Sequence, residues 1–273
     1  LAMKDSKVAF VGAGKMVSAI VKSLLRAEAF ESNDVACCSA PDGTSEKLSA
    51  ETGILRFDSA EELLKTNPDL LVLGCKPQQL DQLPDSIGED SRGSLILSIM
   101  AGITLDRLGT VFHGARNVVR SMPNTPGQVG SGATGFLFAK PPTEEDRHLI
   151  RRVLSSLGFV REVDEEADID RVTAISGSGP AYVFEFACAL EEAGKDIGLE
   201  PGLARELASR TVIGAAKLME EGDLHPEELR NRVTSPNGTT QAALESFGED
   251  DLREIVKRAA HAARNRSVEL SDA

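Results

Sequence analysis

The chain has 273 residues, of which 41% are hydrophobic, 27% charged and 4% aromatic, with no Trp. That is a globular composition, with room for two modest domains around cores of Leu, Val, Ile and Ala. The formal net charge of −13 argues against a nucleic-acid or anionic-membrane surface, which needs a basic field.

No apolar run reaches the ~20 residues of a membrane span. The longest, Leu95 to Leu105, is broken by Ser98, Gly102 and Thr104. No signal-peptide pattern is read, and Leu1 and Ala2 look like additions ahead of Met3. Cys37, Cys38, Cys75 and Cys188 lack C-x-x-C spacing and sit in apolar contexts, which predicts buried reduced thiols in a cytoplasmic protein. His113, His148, His225 and His261 form no metal-binding pair, so no metal is expected.

Lys7 to Val11 reads as a buried strand, Gly12-Ala13-Gly14 as a turn, and the following stretch through Ile20, Val21, Leu24 and Leu25 as an amphipathic helix. In such a unit the first glycine permits the bend. The second lets the backbone approach a pyrophosphate at the positive end of the helix. Val17 holds the third position of the G-x-G-x-x-G/A fingerprint, so the match is partial and a plain tight turn is the other reading.

Further strands are expected at Val35 to Ala40, Leu70 to Gly74, Ser94 to Ile99, Arg116 to Ser121, Ala133 to Phe138 and Phe159 to Val163. Helices are expected at Ser45 to Glu51, after an Asp58 cap through Leu64, at Leu80 to Ile87, from Thr104, and from Thr143 through Leu157. This alternation predicts an α/β, Rossmann-like doubly wound sheet over residues 1–163.

The loops at Cys75-Lys76-Pro77 and Met100-Ala101-Gly102 would face a dinucleotide in the usual crevice. Lys76 also reads as a solvated loop lysine. Asn124, between Pro123 and Pro126, could aim its amide at a ligand or close an Asx turn. The second strand ends in Ser39-Ala40-Pro41 with Asp42 beyond, neither an acid at the strand end nor an Arg nearby, so NADPH and NADH both stay open.

The acidic run Asp164 to Asp168 marks a boundary, and residues 164–273 read as helical. Thr173 to Leu190 gives a Gly/Ser-rich turn and then a helix from Pro180, apolar at Val183, Phe184, Phe186, Cys188 and Leu190. Such a helix is expected to be buried on most sides, as a spine where the two halves meet. Small residues at Ala204, Ala208, Thr211 and Ala215, and the stripe Leu252, Ile255, Val256, Ala259, point to homodimerisation through these helices, or to burial on the chain's own sheet. Thr234-Ser235-Pro236-Asn237-Gly238-Thr239-Thr240 gathers hydroxyls and unpaired N–H groups at a helix start, a receptor for a small carboxylate, although an ordinary cap would use one hydroxyl.

VTSPNGTTQAALESF, with ISGSGPAYVF, SMPNTP, CKPQ and VGAGKM in the same order along nearly the whole chain, resembles pyrroline-5-carboxylate reductase. The resemblance implies a Rossmann domain, an all-α C-terminal dimerisation and substrate-binding domain, and NAD(P)H-dependent reduction of 1-pyrroline-5-carboxylate to L-proline, the last step of proline biosynthesis. It implies that Gly12, Ala13, Gly14, Lys15, Met16, Ser39, Ala40, Cys75, Lys76, Pro77, Ala101 and Asn124 line the cofactor. Ser235, Gly238, Thr239 and Thr240 would hold the substrate, with Thr240 on the ring nitrogen. A homodimer, or a higher assembly such as a decamer, is implied, with no nucleic-acid or membrane partner. Val17 and Asn237 depart from the usual pattern. A hydroxyacid or phosphogluconate-type dehydrogenase and a nucleotide-sensing regulator are the competing readings; the first would need a Lys or His in the central helix, and Pro180 to Leu190 has neither.

Overall fold

The computed structural model describes residues 6–271, so the reading of Leu1 and Ala2 lies outside the described residues. The alternation begins with β1 (Val8–Val11), α1 (Lys15–Arg26), β2 (Val35–Cys38), α2 (Thr44–Thr52), β3 (Leu55–Arg56), α3 (Ala60–Leu64) and β4 (Leu70–Leu73). It continues through α4 (Ile87–Asp90), β5 (Leu95–Ser98), α5 (Leu105–Val111), β6 (Asn117–Met122), β7 (Gly132–Phe138), α6 (Glu144–Leu154) and β8 (Gly158–Glu162). The described remainder is helical: α7 (Ala167–Val172), a π-helical turn at Thr173–Gly177, α8 (Gly179–Asp196), α9 (Pro201–Glu221), α10 (Pro226–Arg232), α11 (Thr239–Glu249) and α12 (Leu252–Ser271).

The eight strands form one sheet in the order β3-β2-β1-β4-β5-β6-β7-β8. Every neighbouring pair is parallel except β6 and β7. Every position of β1, β2, β4 and β5 is buried, because helices cover both faces. Successive residues point to opposite faces. Val8, Phe10, Val72 and Leu97 therefore meet Ile20, Leu24, Ile150 and Val153, while Ala9, Leu71, Leu73 and Ile96 meet Leu63, Leu64, Leu108 and Phe112.

The chain divides into two compact units, one formed by the residues up to Ser178 with those from Ala263 onward, the other by Gly179–Ala262. The acidic run that the sequence suggests as a boundary leads into the first turn of α7, within the first unit. In the second unit α8 packs on α9 at small residues: Ala204 and Ala208 are buried, and a Cβ on Gly194 would stand 3.1 Å from the Ala204 Cβ.

Several local expectations are corrected. Ser59 rather than Asp58 caps α3, accepting from the Glu62 N–H at 3.2 Å. Leu80 to Ile87 is not one helix: a 3-10 turn at Pro77–Gln82 and the short α4 flank Pro84, whose ring and missing N–H interrupt a continuous ladder. The turn expected after Thr173 is itself helical, with the Ser178 N–H reaching the Thr173 carbonyl at 2.8 Å.

Burial of the spine is also overturned. Of α8 only Gly194 is buried, and Val183, Phe184 and Phe186 are 48%, 63% and 45% exposed. An apolar pattern records a need for cover without saying which chain supplies it. The cysteines divide similarly: Cys37 and Cys38 are buried, Cys75 is half-buried and Cys188 is exposed, all four as free thiols.

Candidate active site

Because β2, β1, β4, β5 and β6 run parallel, the loops that follow them all leave from one edge of the sheet. Ser39, Gly12, Cys75, Ala101 and Asn124 are on those loops. This carboxyl edge is where open α/β sheets bind ligands.

At its centre Gly12 has φ +99°, and a Cβ there would lie 2.6 Å from the Cys75 nitrogen, so only glycine fits between the β1 and β4 loops. Its N–H donates to the Cys38 carbonyl at 2.8 Å, and the Gly74 N–H donates to Val11 at 2.9 Å. Gly14 precedes α1 in extended backbone and gives the helix no side-chain cap. A Cβ on Gly14 would meet nothing within 4 Å. Gly14 and Lys15 are exposed at the start of α1, with Met16 packed on the core beside them. A cleft of about 430 Å³ adjoins this turn, lined among others by Gly14, Lys15, Ser18, Thr44 and Lys47. Backbone donors, a helix dipole and lysines suit a dinucleotide phosphate.

At the end of β2 the Ser39 hydroxyl lies 3.2 Å from Asp42 Oδ1 and 3.0 Å from Ser45 Oγ, beside exposed Ala40. Asp42 also accepts from the Thr44 hydroxyl and N–H at 2.6 and 2.9 Å, and these bonds, the hydroxyl first, hold its carboxyl below the usual range. The Arg that the sequence did not reveal is here. Arg56 pairs in register with Cys37, places Nε 3.4 Å from Ser45 Oγ, and bonds Glu46 at 2.6 Å and Asp58 at 2.7 Å. A two-residue strand leaves no periodicity to read, so nothing in the sequence brings Arg56 beside Ser39.

On the β4 loop, Cys75 Sγ stands 3.7 Å from Met100 Sδ, the Lys76 N–H donates to Gln79 Oε1 at 2.9 Å, and Pro77 opens the 3-10 turn. Asn124 is buried and its amide spans three segments: Nδ2 donates to the Ser176 carbonyl at 3.0 Å and Oδ1 accepts from the Ala133 N–H at 2.9 Å. These bonds make it a clamp on its loop.

In the second unit, the Thr234–Thr240 loop enters α11 with Gly238 at the N-cap and no side-chain cap. The four hydroxyls are not equivalent. Thr234 Oγ1 is taken by the Arg230 carbonyl at 2.7 Å, whereas Ser235, Thr239 and Thr240 have no hydroxyl hydrogen bond among the described residues. Asn237 has φ +59°, and its N–H donates to Gln241 Oε1 at 2.8 Å. Gly238 is needed for closeness, since a Cβ would stand 3.1 Å from the Ser235 carbonyl oxygen, which already accepts the Gly238 N–H at 3.0 Å.

Residues 7–102 match the family described as NADP oxidoreductase, coenzyme F420-dependent, and residues 166–270 match the pyrroline-5-carboxylate reductase dimerisation family. Over 271 residues, 99% of this chain and 98% of the relative, the chain is 35% identical to a pyrroline-5-carboxylate reductase of Pseudomonas aeruginosa. The chain belongs to the pyrroline-5-carboxylate reductase family. A pyrroline-5-carboxylate reductase structure from Coxiella burnetii superposes with a TM-score of 0.91 at 31% identity, covering 98% of this chain and 99% of that one. The Plasmodium falciparum pyrroline carboxylate reductase with NADP bound gives 0.85 at 28% identity, covering 99% and 100%. As in its relatives, a Rossmann-like N-terminal sheet is followed by a helical dimerisation region. Among the described residues no helix is long and apolar enough to cross a membrane.

Proposed function

We propose that this chain reduces 1-pyrroline-5-carboxylate to L-proline with NADPH or NADH, as the last step of proline biosynthesis in the cytoplasm. The observation that carries the reading is the end-to-end similarity to a pyrroline-5-carboxylate reductase at 35% identity. Residues 1–163 serve as the dinucleotide-binding part and residues 164–273 as the dimerisation and substrate-binding part. The working form is a homodimer through the C-terminal helices, with a decamer as a higher assembly.

Gly12 to Met16 receive the cofactor pyrophosphate, Ser39 and Ala40 its ribose, and the loops bearing Cys75 to Pro77, Ala101 and Asn124 the remainder. When bound, the reduced nicotinamide supplies a hydride for the C=N carbon of the cyclic imine. A protonated imine is already an electrophile, so the protein's task is orientation more than acid or base catalysis. Backbone N–H groups from Ser235 to Thr240 grip the carboxylate, supported by the uncapped start of α11 and by the position of Gly238. Ser235 and Thr239 add hydroxyls, and Thr240 hydrogen-bonds the ring nitrogen.

The test is turnover of purified protein with 1-pyrroline-5-carboxylate, followed by loss of reduced-nicotinamide absorbance with each cofactor. No consumption with either reduced cofactor, or faster formation of the reduced cofactor from NADP+ or NAD+ with a hydroxyacid series, overturns the reading.

A further inference from the structure

The C-terminal end of α12 belongs to the first compact unit and is tied to the loop that carries Ala101. Gly102 has φ +73°, and a Cβ there would lie 3.1 Å from both Cβ and the carbonyl oxygen of Leu270. A second tie runs through buried charge. The Leu105 N–H, which opens α5, donates to Glu166 Oε1 at 2.8 Å, and the same oxygen accepts from Arg120 at 2.7 Å. Arg120, whose side chain is 3% exposed, reaches on to Asp170 at 3.3 Å and to the Ser271 hydroxyl at 3.2 Å. Ser267, also buried, donates to the same Asp170 oxygen at 2.7 Å.

We propose that Ser267 and Leu270 are positioning residues for the cofactor loop: from the end of α12 they fix residues 101–105, Leu270 against Gly102 and Ser267 through Asp170, Arg120 and Glu166. The inference rests on the proposed dinucleotide site. Strand order gives it direction, because β2, whose loop carries Ser39, flanks β1 on one side, and β4 and β5 lie on the other. With the ribose of the adenosine half at Ser39, the loop after β5 faces the nicotinamide half. Loosening it weakens the grip on the nicotinamide and leaves the adenosine half alone.

Two measurements on the full chain test this. The first is amide hydrogen exchange at residues 101–105 without ligand. The second is calorimetric titration with NADP+ and NAD+ beside ADP-ribose, which lacks the nicotinamide. In Ser267→Ala and in Leu270→Gly, which removes the Cβ that faces Gly102, exchange at Leu105 or its loop neighbours quickens and dinucleotide affinity falls about five-fold, the scale of one lost hydrogen bond or contact, while ADP-ribose binding is unchanged. Ser267→Thr, which keeps the hydroxyl, restores both readouts. Leu270 is half-exposed, so its variant keeps the test alive should Ser267→Ala not fold. Equal losses for dinucleotide and ADP-ribose, or no change in loop exchange, overturn the positioning role. Failure of the unaltered protein to bind any of these nucleotides instead overturns the dinucleotide site itself, a result that the ligand-free exchange measurement keeps separate.

Discussion

Val17 occupies the space that a side chain on Gly74 would need: a Cβ at Gly74 would stand 2.2 Å from Val17 Cγ2. The departure from the small third position of the glycine fingerprint is thereby accommodated. Val17 is fully buried in the core, and the residue opposite it, at the end of β4, is glycine. Close packing of α1 on the sheet is kept by moving the small residue across the interface.

Gly74→Ala is therefore expected to destabilise the fold by about 1–3 kcal/mol through overpacking. Added to Val17→Ala it should cost much less than it does alone. Urea midpoints of the two single variants and the double variant measure the coupling; strict additivity would show that the two positions do not compete for one space.

Thr240→Ala is expected to lower kcat/KM by one to two orders of magnitude, corresponding to a lost polar transition-state contact of ~2 kcal/mol. Steady-state kinetics at saturating cofactor check it. An unchanged value removes Thr240 from the mechanism and leaves Ser235 and Thr239 as the free hydroxyls of that loop.

Replacing Arg120 with Met leaves Glu166 and Asp170 facing a buried site without their cation. Breaking such a cluster from one side costs about 3–5 kcal/mol. Chemical unfolding should show the loss, and a variant as stable as the parent would mean that the three charges are relaxed by solvent.

Burial pushes the Cys37 thiol up to about 11 and the Cys38 thiol up to about 12. Unfolded thiols titrate at about 8.5. Above that pH the unfolded chain sheds protons that the folded chain keeps, so this contribution to stability is whole below pH ~8.5 and fades as pH rises toward the folded values. Urea midpoints at about pH 8 and about pH 10.5 should fall less steeply when both cysteines are Ala. Identical slopes would assign the alkaline decline to other groups.

Phe184→Glu should lower the oligomeric mass in sedimentation equilibrium, because Phe184, Phe186 and Val183 form an apolar surface that one chain leaves bare. An unchanged mass would place the dimer contact elsewhere.

The sheet was legible because Val8–Val11, Leu70–Leu73 and Leu95–Ser98 are short apolar runs between glycine turns and amphipathic helices, and that pattern has few other solutions. The loops expected to face a dinucleotide were legible as loops for the same reason, since Gly12, Cys75 and Ala101 closely follow those runs. What stayed hidden was non-local. Nothing adjacent to Arg120 announces partners 46, 50 and 151 residues away. The reversal of β7 against β6 depends on the path of the 123–131 loop rather than on any periodicity. The pattern of α8 shows that its side chains need cover, and the single chain does not provide it.

The return of α12 to the first unit has a consequence for biosynthesis. More than a hundred residues separate the end of β8 at Glu162 from Ser267 and Leu270, the partners of Asp170 and Gly102. The first unit, its eight strands already made, must wait through translation of the whole helical insert for that packing, so a fragment stopped at Ser178 lacks part of its own interior scaffold.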